Sequence, residues 1–192
     1  MAEAKKADKG AKDEEKNDRS SKLKASIQQQ IEIAEENRQK ELFRQRIGLA
    51  RAGIHFYDEH NFQEAVKNFK TYLKILEDYY KVTEHGLSPN NFDRKKDVQE
   101  LLLISGVYWD LVKLYDRTKS PSKHKEFRIY VNKYVEFSRG MPFQPLCAES
   151  VRKYLATNKA LHRPEFNFMY GKLKAKGCFV ATALSNELQP HT

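Results

Sequence analysis

Between Arg46 and Tyr80 the chain reads RIGLARAGIHFYDEHNFQEAVKNFKTYLKILEDYY, with apolar residues at spacings of three and four. Leu49, Ala52, Gly53 and Phe56 share one stripe of a 3.6-residue helix, and Phe62, Ala65, Val66, Phe69, Leu73 and Leu76 share another. Glu59, His60 and Asn61 break the pattern, with Asn suited to the turn that ends a helix. The pattern predicts two antiparallel helices, Arg46 to Glu59 and Phe62 to Tyr80. A small residue on each arm, Gly53 and Ala65, lets the two backbones approach closely.

The rest of the chain is punctuated in the same way. Residues 1–20 hold Lys, Asp, Glu and Ala with no large apolar residue beyond the initiator. They bury too little to offset their ordering entropy, and the expectation is a disordered charged tail. Leu23, Ile27, Ile31 and Ala34 then set a narrow stripe, predicting a helical extension over 21–45 that is either a solvated arm or a docking and coiled-coil arm. Gly86, Pro89, Asn90 and Asn91 make a break. From Asp97 to Asp116 the chain is apolar on nearly every side, which predicts a central helix buried all round. Ser120-Pro121 is a start signal, a capping residue before a proline at the first helical position, for a helix to about Ser138. Pro145 opens another helix to about Asn158, with Leu146, Val151, Tyr154 and Leu155 inward. Glu165 to Leu173 forms a further short helix.

The positions Leu49, Ala52, Gly53, Phe56, Phe62, Ala65 and Phe69 together resemble one tetratricopeptide (TPR) repeat, a helical hairpin of about 34 residues. Tyr72 stands where that family prefers a small residue, and Glu77 where it often has Pro. The resemblance implies an all-α fold of antiparallel helical hairpins, a TPR-like bundle over 46–176 with a helical amino-terminal extension. It also implies a concave groove lined by the first helix of each pair. Matched residue by residue, the groove positions are Ile47, Ala50, Ile54 and Tyr57. They are not the Lys and Asn of the version that clamps a terminal carboxylate. The groove is either open to an amphipathic helix or acidic segment of another protein, or filled by the central helix or the carboxy-terminal tail.

Composition narrows the function classes. Lys plus Arg number 35 against 26 Asp plus Glu, a net charge of +9. The excess is spread along the chain, since the first 24 residues hold 8 basic and 6 acidic groups. Such a balance favours acidic proteins, anionic surfaces or nucleic acid as partners. The basic clusters Arg94-Lys95-Lys96, Lys119 to Arg128 and Lys172 to Lys176 carry the alternative, a nucleic-acid or anionic-surface binder. However, the aromatic residues between them sit at core spacings, and no RNA-module or recognition-helix signature is present. No run approaches the ~20 apolar residues of a membrane-spanning helix. The opening MAEAKKADKG lacks an apolar secretory segment, so cytoplasm is expected.

The six histidines are scattered without metal-ligand spacing. No Cys-x-x-Cys, His-Glu-x-x-His or glycine-rich phosphate loop occurs. No metal, cofactor, small-molecule substrate or catalytic activity is expected. Two cysteines, Cys147 and Cys178, make no disulfide framework. Gly177-Cys-Phe-Val-Ala-Thr-Ala-Leu184 resembles a short signature near the ends of assorted bacterial proteins. Cys178 there is either a packing residue or a functional thiol, activated if cations or a helix N-terminus depress its pKa. It begins a carboxy-terminal segment, 177–192. The function read from all this is a non-catalytic adaptor or scaffold for protein–protein interaction.

Overall fold

The computed structural model describes the backbone of residues 3–118, 120–157 and 159–174, and side chains from Lys24 onward within those ranges. It divides into two compact units, Met1–Arg46 and Ile47–Thr192. Among the described residues the regular structure is six α-helices and one short 3-10 turn, without strands. The fold is all-α, a bundle of helical hairpins.

In the first unit the chain is one continuous helix, the leading part of α1 (Glu3–Asp58). It starts at Glu3 rather than near Ser21. Ala, Lys and Glu, which dominate this stretch, are among the stronger helix formers, and no proline interrupts it. Ile27, Ile31 and Ile33 are about half exposed, at 48%, 53% and 52%. Pairs four apart, such as Lys40–Glu36 at 3.6 Å and Gln28–Glu32 at 3.1 Å, each support the helix by ~0.2–0.5 kcal/mol.

The second unit begins with the end of α1 and continues through α2 (Phe62–Tyr79), the 3-10 turn Pro89–Asn91, α3 (Val98–Asp116), α4 (Pro121–Ser138), α5 (Gln144–Ala156) and α6 (Arg163–Leu173). The α1–α2 turn lies where the pattern places it, but His60 takes the left-handed conformation, at φ 63°. Asn61 instead caps α2, its side chain accepting from the Glu64 N–H. Gly53 and Ala65 are both buried in this seam. A Cβ added at Gly53 would stand 2.5 Å from Phe69 Cε1, so the glycine is what lets the ring lie against α1.

The two departures from the repeat pattern have local causes. Tyr72 is fully buried and donates its hydroxyl to Glu100 at 2.9 Å, so α3 accommodates the larger residue. Glu77 is only 4% exposed and accepts the His85 N–H at 2.7 Å, pinning the loop after α2. That loop reverses through left-handed Lys81 and His85, and Leu87 and Phe92 anchor it in the core.

Helices α3 and α4 pack as a long hairpin around Tyr108, Tyr130, Tyr134 and Phe137, all at most 2% exposed. Their far end is closed by Ser105 and Ser138, whose hydroxyls meet at 2.7 Å, with Cys147 of α5 beside them. Helices α5 and α6 form a third hairpin, tied at one end by Gln144 Nε2 donating to the Leu173 carbonyl at 2.7 Å. Leu146 was expected inward but is 61% exposed. The buried stripe of α5 is Cys147, Ala148 and Val151, one position further on, because these meet the α3–α4 end.

Candidate functional site

Helix α3 is not buried all round. Leu102, Gly106 and, partly, Leu103, Trp109, Asp110 and Lys113 remain open to solvent. These positions fall within one narrow arc of a 3.6-residue helix. Hydrophobic content counted apolar residues but did not say how many sides of α3 its neighbours would cover. Leu102 is 40% exposed, and a Cβ added at Gly106 would meet nothing within 4 Å.

At one end of this strip α1 and α5 bring their own residues. Lys113 Nζ forms an ion pair with Asp110 at 2.7 Å, and both side chains are 18% exposed. The same ammonium lies 4.4 Å from the Tyr57 ring centroid and 5.8 Å from that of Trp109, within cation–π range. Trp109 in turn packs against Tyr134, Tyr154 and Phe166 at centroid distances of 5.2, 5.7 and 6.1 Å. Burial pushes the Asp110 carboxyl above its usual value. The Lys113 ammonium opposes this and the nearby Asp58 carboxylate adds to it.

The four positions matched to a repeat groove divide. Tyr57 joins the Lys113–Trp109 cluster and packs on Phe62 at 5.9 Å. Ile54 is 43% exposed and Ile47 is half-buried. Ala50 has no exposed surface and so offers a partner nothing to touch. Cys178 lies outside the described residues; Cys147 is buried and unpaired.

A second cluster was not anticipated. Asp116, at the end of α3, is fully buried. It accepts from Tyr154 Oη at 3.0 Å, Leu161 N at 3.1 Å and His162 N at 2.9 Å, and faces His162 Nδ1 at 2.9 Å. The pairing of Asp with His has the form of a base and its orienting acid. Yet most of the donors come from the backbone and side chain of one short segment, so the carboxylate fastens the α5–α6 connection to α3. The only sequence signal was an Asp closing an apolar helix, which also describes many solvated helix ends.

The described members of the basic clusters lie on the surface, while Lys119 and Lys176 fall outside the described residues. Arg94, Lys95 and Lys96 are exposed ahead of α3, and Lys123, Lys125 and Arg128 are exposed along α4. Phe127 and Tyr130 between the latter are at most 1% exposed, so their ring faces are unavailable for base stacking. Among the described residues no group of three or more His, Cys, Asp or Glu is placed to hold a metal ion, and no helix is long and apolar enough to cross a membrane. Comparison with protein-family models, curated proteins and solved structures gave no match.

Proposed function

We propose that the chain is a non-catalytic interaction module, an adaptor or scaffold with TPR-like character, that receives a helical segment of another protein. The observation that carries this reading is the partly apolar strip Leu102–Gly106–Trp109 left open on the central helix. An interior helix whose mid-point glycine faces empty space exposes the kind of surface that marks an interaction site. Tyr57 of α1 meets the end of the strip through Lys113, and Ile54, one turn earlier on α1, is exposed at a position that the repeat resemblance assigns to a groove. The bacterial, cytoplasmic setting rests on the sequence alone, on the Gly177–Leu184 motif and the charged amino-terminal stretch.

Site-specific photo-crosslinking in the native host tests this. A photoreactive residue at Gly106 is expected to give a discrete protein adduct that Ile54→Glu abolishes, while the same residue at Lys125, on α4, gives none. Equal labelling at both positions would remove the strip from consideration and return attention to the basic surface.

A further inference from the structure

The charges at the α1 end of the strip say what a partner must carry there. Lys113 is held by Asp110 at 2.7 Å. Arg117, one turn on, stacks its guanidinium over Phe62 at 4.7 Å. Glu59, just past α1, faces His55 at 3.2 Å. Asp58 is exposed and its carboxylate meets no cation among the described residues. Arg51, on its own helix face, is two turns away, ~10 Å along the axis. Asp58 is near enough to Asp110 to act on that carboxyl. The cluster thus holds two carboxylates, an ammonium engaged with one of them, and the rings of Tyr57 and Trp109. Both rings present faces that attract cations.

Resting on the interaction-module reading, we infer that the occupant of the strip is an amphipathic helix with a Lys or Arg at its end nearest Asp58. Its apolar side covers Leu102, Gly106 and Trp109, and its cation completes the Asp58–Asp110–Lys113 cluster. A small or flat side chain of the partner fits over Gly106, where the α3 backbone is uncovered. An acidic partner helix would set its carboxylate against Asp58 with the nearest ammonium already engaged. The net positive charge of the chain steers acidic partners from a distance, but the local balance at this end has the opposite sign.

The test is display selection of a randomised helical-peptide library on the full chain, with Gly106→Trp as the counter-target. Binders that require Gly106 and are enriched in Lys or Arg at one end are the expected result. Their affinity should fall about two- to fivefold with Asp58→Asn, the span of a partly screened ion pair. Asp58→Lys should turn the preference toward Glu. Both variants alter an exposed side chain, so circular dichroism should show an unchanged fold. Gly106-dependent binders that are acidic or show no bias of charge would overturn this inference and leave the docking strip standing. An absence of Gly106-dependent binders would overturn the docking strip, and this inference with it.

Discussion

Two helical glycines of the second unit sit in opposite surroundings. Gly53 lies in the α1–α2 seam, where an added Cβ would reach 2.5 Å from the Phe69 ring. Gly106 lies mid-way along α3, where an added Cβ would meet nothing within 4 Å. Both weaken a helix by the same backbone entropy. At Gly53 that cost is offset by the packing of a fully buried phenylalanine. At Gly106 no contact inside the described residues offsets it. One glycine is explained by the fold and the other is left to be explained by something that approaches from outside.

The comparison can be tested from its packed side first. Asp116→Ala should cost the most, about 3–5 kcal/mol in urea unfolding, because it removes a fully buried carboxylate and strands the Leu161 and His162 N–H groups and the Tyr154 hydroxyl that it holds. A loss under 1 kcal/mol (about the value of one surface ion pair) would show that the α5–α6 connection is held by other contacts. Gly53→Ala comes next, at about 1–2 kcal/mol net, since overpacking against Phe69 outweighs the better helix propensity of alanine. Phe69→Leu in the same chain should reduce that penalty, a coupling that a double-mutant cycle reads directly. On the open side, Gly106→Ala should stabilise by about 0.5–1 kcal/mol. A destabilised Gly106→Ala chain would mean that the strip is covered in solution, and the contrast would collapse.

The smallest effect concerns Glu77. Burial raises its carboxyl above the ordinary 4.5, with the His85 N–H and imidazole opposing. A raised pKa in the folded state means that the fold binds the proton more readily than the unfolded chain does. The associated stability is therefore complete below 4.5 and is lost as pH rises through the higher folded value. Glu77→Gln keeps an acceptor for His85 and removes the titration. Its stability should match or exceed wild type at neutral pH and lose that advantage in acid. A wild-type curve that rises over the same window would show the carboxylate to be better compensated than its single backbone partner indicates.

The contrast between the glycines also marks where sequence reasoning stops. Gly53 was legible because its partners, Ala65 and Phe69, are nearby in the chain and fall on one helical face. The start of α4 at Pro121 and the break at Gly86 were legible for the same reason, being local stereochemistry. Trp109 and Gly106 were assigned to a buried helix because composition records how apolar a segment is and not which neighbours reach it. Leu146 was turned inward for a related reason, since its face depends on where the α3–α4 hairpin ends. Asp116 gave no signal beyond its place at the end of an apolar helix, because its donors come from residues about 38 to 46 positions away.

The sequence by itself therefore determined the helical class, the hairpin at Arg46–Tyr80 and most element boundaries, which follow from periodicity, capping and turn chemistry within a few residues. Only the tertiary structure decided which face of α3 stays open, how Lys113 comes to lie between Asp110 and Tyr57, and where a buried carboxylate fastens the third hairpin. Those outcomes depend on how many neighbours a helix has and on contacts between distant segments, and neither quantity is written in any local stretch of residues.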